Sequence, residues 1–186
     1  MTKTVILDGA RTAFGKMGGS LASLTASDLG GVAIKEALNR AGVAPESVDE
    51  VIMGTVLQAG QGQIPSRQAA TKAGIPWGVK TETINKVCAS GMRAVTLADQ
   101  LIRLGEEETI VAGGMESMSN APYYLPKGRF GLRMGDAQMI DGMIYDGLSC
   151  SFDPKRVHMG TYGNATAEKF DLSREKQDEW SFRSHD

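Results

Sequence analysis

Apolar and polar positions change period along this chain, and the changes mark its elements. Residues 4–7 form a short apolar run ended by Asp8-Gly9, which reads as a first strand. Residues 11–23 are glycine-rich connection. Thr25 or Ser27 can cap a helix on which Leu29, Val32, Ala33, Leu38 and Ala41 form an apolar stripe until Gly42 stops it. Residues 45–48 suggest a helical turn, residues 51–56 a strand, 57–65 a Gly/Gln loop and 66–72 a short helix. The run 79–87 is extended, with the β-branched Thr81, Thr83, Ile84 and Val87. Residues 92–104 then switch to helical period. Arg93, Thr96, Asp99, Gln100 and Arg103 share one stripe and apolar side chains cover the rest, which predicts a mostly buried helix closed by Gly105. Residues 109–112 predict a further strand.

Alternating strands and helices over about the first 115 residues imply α/β layering with a largely parallel sheet. Such sheets place ligands at the carboxyl ends of their strands. From Met115 onward the pattern changes. Residues 118–153 are rich in proline, glycine, tyrosine and methionine, with no clear strand. Residues 158–170 are compatible with a helix. Ser173 and Glu175 start another, with Trp180 and Phe182 as candidate anchors. The expected organisation is an α/β domain over residues 1–117 and an incomplete second domain over 118–186. The chain is therefore expected to be part of a longer protein or assembly.

Composition narrows the function classes. A formal net charge of −2 gives no bulk attraction to nucleic acid or anionic membrane. No apolar run reaches membrane-spanning length and the start does not read as a signal peptide, so a cytoplasmic location is expected. Two cysteines cannot build a disulfide framework, and no Cys/His spacing resembles a zinc site, so no metal is expected. Gly60-Gln61-Gly62 offers two glycines of a dinucleotide fingerprint but not the third, and nicotinamide binding is set aside.

The candidate chemistry centres on Cys88, where the extended run turns into the helix, followed by Ala89, Ser90 and Gly91. The first N–H groups of a helix lack intrahelical partners and carry partial positive charge, which favours a thiolate. Small residues behind the cysteine suit an oxyanion-binding role. A helix terminus contributes only about 0.3–1 kcal/mol, so a working nucleophile also needs a base, usually histidine. The same four residues are equally compatible with a buried structural cysteine. Glu116, after a strand and two glycines, reads first as a carboxylate accepting backbone N–H bonds in a tight turn and second as part of an active-site rim. His185 reads as solvated, Cys150 as structural, and Met134, Met139 and Met143 as packing residues.

Several stretches together resemble the thiolase family, in its acetyl-CoA C-acetyltransferase branch. Residues 85–94, Asn-Lys-Val-Cys-Ala-Ser-Gly-Met-Arg-Ala, are similar to the family's nucleophile segment, and residues 111–119 to the strand and turn that follow it. Met134-Gly135-Asp136, Met139-Ile140-Asp141 and Asp146-Gly147-Leu148 match its loop region. His158-Met159-Gly160 matches its substrate-facing helix, in the spelling of the short-chain members. Residues 5–15 and 57–62 also fit, so the resemblance runs in order over essentially the whole chain.

It implies an α-β-α layered half, bearing the nucleophile, with the start of an inserted helical loop domain. Cys88 would accept an acyl group, and Leu148, His158 and Met159 would line the pantetheine and acyl end of the site. Acetyl-CoA, acetoacetyl-CoA and CoA would be substrates and products rather than cofactors, in fatty acid metabolism. The complete enzyme would be a homodimer or homotetramer, with residues 127–141 resembling the tetramer-forming segment. The family's histidine base and second acid/base cysteine belong to a C-terminal half whose motifs are absent here. These 186 residues alone are therefore expected to be inactive and to leave a large apolar face exposed. The alternative is a non-catalytic acyl-CoA-binding or scaffold subunit.

Overall fold

The computed structural model describes residues 3–185. The chain divides into two compact units between Met143 and Ile144. The change of character seen near residue 118 falls inside the first unit.

In that unit a three-stranded parallel sheet is assembled in the order β2-β1-β3 from β1 (Glu50–Gly54), β2 (Lys80–Ile84) and β3 (Ile110–Gly114). The register aligns Gly54 with Ile84 on one side and with Gly114 on the other, so all three strands end level. β1 lies in the middle, with Val51 and Ile52 fully buried, each such side chain contributing about 1.5–3 kcal/mol. Alternation along the strand sends Val51 and Met53 to one face and Ile52 to the other. The first face is covered by α1 (Ala26–Ala41) and α2 (Pro65–Lys72), whose Ile34, Leu38, Ala69 and Ala70, with Ala73 at the C-cap of α2, join Val51, Met53 and Met115 in the main core. α3 (Ser90–Leu104) also packs on the sheet, chiefly against β1 and β3.

Capping fixes α1 as expected. The Thr25 hydroxyl accepts the Asp28 N–H while the Asp28 carboxylate accepts the Thr25 N–H, a reciprocal box. Gly42, at φ 65°, closes the helix. The buried face differs from the expected stripe, however. Ala26, Ser27, Gly30, Gly31, Ile34 and Leu38 face inward, and Val32 is exposed. The glycines explain this, because a Cβ on Gly31 would stand 2.8 Å from the Lys72 Cβ, so α2 crosses α1 over its smallest residues. Lys72 completes the crossing with bonds to Asp28 (2.6 Å) and Ser27 (2.8 Å).

Two other expectations fail. Residues 4–7 form no strand, and Val5, Ile6 and Leu7 are exposed, Ile6 at 83%. A strand needs a neighbour for its backbone donors and acceptors, and no described residue pairs with this run. α3 is buried only along Ser90, Ala94 and Ala98. Met92 (70% exposed), Val95 and Leu104 point away from the sheet, where no described element covers them. The buried positions of α3 are a stripe of small residues, with Leu97, Leu101 and Ile102 half-buried.

Residues 118–143 add a two-residue antiparallel pair, Tyr123 with Asp141 and Tyr124 with Ile140 (β4 and β5), in a region expected to hold no strand. A π-helical turn at Met143–Leu148 begins on the last residue of the first unit, and the second unit then contains α4 (Met159–Lys169) and α5 (Arg174–His185). No described residue of α4 or α5 is buried. Trp180 and Phe182 are exposed rather than anchors, on a helix none of whose described residues is buried.

Candidate active site

Five residues, 85–89, connect β2 to α3, and Cys88 stands at their crest, exposed. The turn is folded by hydrogen bonds from both ends. On the helix side the Ser90 hydroxyl donates to the Val87 carbonyl (2.6 Å) and accepts the Lys86 N–H (2.8 Å), and the Ser90 N–H also reaches Val87 (3.1 Å). On the strand side the Asn85 carboxamide accepts the Val87 N–H (2.9 Å). These bonds hold Val87 at φ 49°, a left-handed conformation that a β-branched residue avoids at a cost of about 1–3 kcal/mol. The strain falls on the residue immediately before the cysteine.

Glycines seat the start of α3. A Cβ on Gly54 would lie 2.5 Å from the Ser90 carbonyl carbon, and one on Gly114 would lie 3.3 Å from the Gly91 Cα. The helix N-terminus therefore rests directly on the ends of β1 and β3. Of the small residues 89–91, Ser90 also folds the turn, and Ser90 and Gly91 line the cleft with Cys88.

Beyond β3, the Glu116 carboxylate accepts the N–H groups of Val56 (2.8 Å) and Leu57 (3.2 Å) and the Thr55 hydroxyl (3.1 Å). The first of the two readings of Glu116 is thus the observed one. Gln61 and Gln68 stitch the neighbouring loop, Gln61 Nε2 donating to Leu57 (2.7 Å) and Gln68 Nε2 to Gln61 (2.8 Å), which accounts for the two glycines there as turn residues. Residues 18–24 are tied to residues 117–120 through Ser117, Ser119 and Asn120. Residues 10–17 consequently wall a cleft of about 550 Å³ that also includes Thr55, Cys88, Gly91 and Glu116. The cleft opens where the three strands end, the location the parallel sheet predicted.

Leu148, His158 and Met159 belong to the second unit. An antiparallel bridge joins Ser149 to His158, with Cys150 donating its N–H to Val157 (2.9 Å), and so brings Leu148 beside His158. His158 caps α4, its Nδ1 accepting the Gly160 N–H (3.0 Å), and Met159 opens the helix. Nearby, backbone N–H groups of Phe152 and Asp153 pull the Cys150 thiol below its ordinary value, helped by the Tyr162 hydroxyl, whose own value rises in return. No sequence signal announced that arrangement. Among the described residues no group of three His, Cys, Asp or Glu side chains is placed to hold a metal ion. No described helix is long and apolar enough to cross a membrane.

Residues 4–186 match the family described as thiolase, N-terminal domain. The chain is 54% identical to an acetyl-CoA acetyltransferase of Cupriavidus necator, over 99% of this chain and 46% of that protein. It is 50% identical to a probable acetyl-CoA acetyltransferase of Mycobacterium leprae, over 100% of this chain and 47% of that protein. It is 47% identical to an acetyl-CoA acetyltransferase of Schizosaccharomyces pombe, over 99% of this chain and 46% of that protein. The chain thus spans about half the length of the curated relatives it matches.

Proposed function

The chain belongs to the thiolase family, and from that premise we propose that it is the nucleophile-bearing half of an acetyl-CoA C-acetyltransferase. In this reading the Cys88 thiolate attacks the carbonyl carbon of acetyl-CoA. The new carbon–sulfur bond forms, the bond to the CoA sulfur breaks, and CoA departs as a thiolate that takes up a proton. A second acetyl-CoA then loses an α-proton to a base, and its enolate carbon attacks the acetyl-cysteine. Acetoacetyl-CoA leaves and Cys88 regains its thiolate. Thiolysis is the same sequence reversed.

The observation that carries this reading is the placement of Cys88. It is an exposed thiol on a strained turn, at the rim of a cleft, one residue before the N-cap of α3. Leu148, His158 and Met159 are assigned to the pantetheine and acyl end of the substrate. The histidine base and the acid/base cysteine are assigned to the C-terminal half found in the longer relatives, and the working enzyme to a homodimer or homotetramer. The 186 residues alone are assigned no turnover.

The test is intact-mass measurement with peptide mapping after exposure of the complete protein to acetyl-CoA. One acetyl group on Cys88, lost in Cys88→Ala, is the expected result. Acetylation at another residue refutes the assignment of the nucleophile. Turnover by the isolated 186-residue chain refutes the division of labour between halves.

A further inference from the structure

A single line of hydrogen bonds connects the ends of β3 and β1 to the turn that carries Cys88. The Glu116 carboxylate grips the Val56 N–H at 2.8 Å. The Val56 carbonyl accepts Asn85 Nδ2 at 3.2 Å. The other end of the same carboxamide, Oδ1, accepts the Val87 N–H at 2.9 Å. Both ends of Asn85 are thus in use, and a flip of its amide would oppose donor to donor and acceptor to acceptor. Asn85, Val87 and Cys88 are all exposed, so hydrogen bonds rather than packing hold this side of the turn.

We propose that Glu116 is a positioning residue for Cys88, acting through the 55–57 turn and Asn85. The proposal rests on the reading of Cys88 as nucleophile. Its physical content is a division between the two clamps on the turn. Ser90, buried at the start of α3, holds the helix side and remains when Glu116 is altered. Asn85 holds the strand side, and its partner Val56 is fixed in turn by Glu116. When the strand-side clamp loosens, the protein stays folded while Val87 loses its held conformation and the sulfur its aim. A misplacement of about 1 Å in a reacting group is enough to cost about a hundredfold in rate. Glu116 lines the same cleft, but its carboxylate is taken up by the three donors of the 55–57 turn, so the loss falls on the acyl-transfer step rather than on binding of the thioester.

Two variants of the complete protein test this. Glu116→Gln turns an amide N–H₂ toward one of the three donors that the carboxylate accepts. Asn85→Asp keeps the acceptor for Val87 but removes the donor to Val56. Acetyl transfer to Cys88 is followed by mass at varied acetyl-CoA. Hydrogen exchange is measured over residues 85–89 and over α3, alongside the thermal midpoint. Each variant is expected to lower the maximal transfer rate by about tenfold or more. The half-saturating acetyl-CoA concentration should stay within about twofold. Exchange at Val87 should quicken while α3 exchanges as before, with the midpoint lowered by no more than the roughly 2–12 °C that one unpaired buried donor brings. The double variant should be no slower than the slower single one, because both interrupt one line.

Parental transfer rates in either variant, unchanged exchange at Val87, losses that multiply in the double variant, or an effect confined to half-saturation would each overturn the proposal. Absence of acetyl transfer to Cys88 in the unaltered protein would instead overturn the nucleophile assignment, and the positioning role with it.

Discussion

Gly54→Ala tests how tightly the start of α3 is seated. The added Cβ would stand 2.5 Å from the Ser90 carbonyl carbon, 2.6 Å from its Cβ and 2.8 Å from the Gly91 nitrogen. Two of these are backbone atoms, so no rotamer change relieves the clash. Ordinary contact begins near 3.4 Å, which requires β1 and α3 to part by about 0.9 Å, that is 3.4 less 2.5. Overpacking of this kind costs about 1–3 kcal/mol. In a chain of this size that lowers the thermal midpoint by about 2–12 °C. The same displacement lifts Ser90, and Ser90 folds the turn behind Cys88, so acetyl transfer should fall by about a hundredfold. The control is Gly91→Ala, in contact with the same seat. Its Cβ would meet nothing nearer than the Gly114 nitrogen at 3.7 Å, and the midpoint should hold or rise. Thermal denaturation followed by circular dichroism, with mass-based acetylation in the complete protein, reads both quantities. A Gly54→Ala midpoint within about 1 °C of the parent, or equal effects of the two substitutions, would refute the close seating.

Other outcomes follow from individual bonds. Thr25→Ala removes the cap of α1 and should cost about 0.5–2 kcal/mol in urea denaturation. The Lys72 ammonium, followed by Thr25, holds the Asp28 carboxyl down at about 2. A depressed carboxyl contributes stability that is full above its unfolded value and is lost as pH falls toward the folded one. Asp28→Asn should therefore flatten the stability profile between about pH 4 and pH 2. Thr83→Val strands the fully buried Ser66 hydroxyl (2.7 Å) and its N–H (3.1 Å), at a cost of about 1–3 kcal/mol in the same assay. Ser90→Ala leaves the Lys86 N–H without its side-chain acceptor and removes the hydroxyl bond to the Val87 carbonyl, so both the thermal midpoint and the rate of Cys88 acetylation should drop.

Local chemistry was legible in the sequence where it settles structure by itself. Thr25 and Gly42 bracket α1, Gly105 ends α3, and the apolar run of β1 falls where its residues are buried. The place of Cys88 between a strand and a helix was legible for the same reason, since the switch from period two to period 3.6 at residues 88–90 is local. Features that depend on a neighbour were not. The run at residues 4–7 has strand composition but no pairing partner among the described residues, and α3 presents small residues inward because Gly54 and Gly114 let it come close. The face of α1 was misjudged because glycines carry no hydropathy signal yet decide where α2 crosses. The bonds of Glu116 and Asn85 to the 55–57 turn join residues far apart in sequence, and no periodicity encodes them.

Those long separations have a kinetic consequence. The Asn85 bond to Val56 spans 29 residues and the Glu116 bond to Val56 spans 60. Closing such loops costs entropy that no local contact repays, so the two bonds cannot form until the parallel strands have been brought level. The turn before Cys88 should thus be among the last parts of its unit to take shape as the chain folds. Substitutions in it should act chiefly by speeding unfolding, with little change in the refolding rate. An aligned reactive sulfur then becomes a sign that the sheet beneath it is complete.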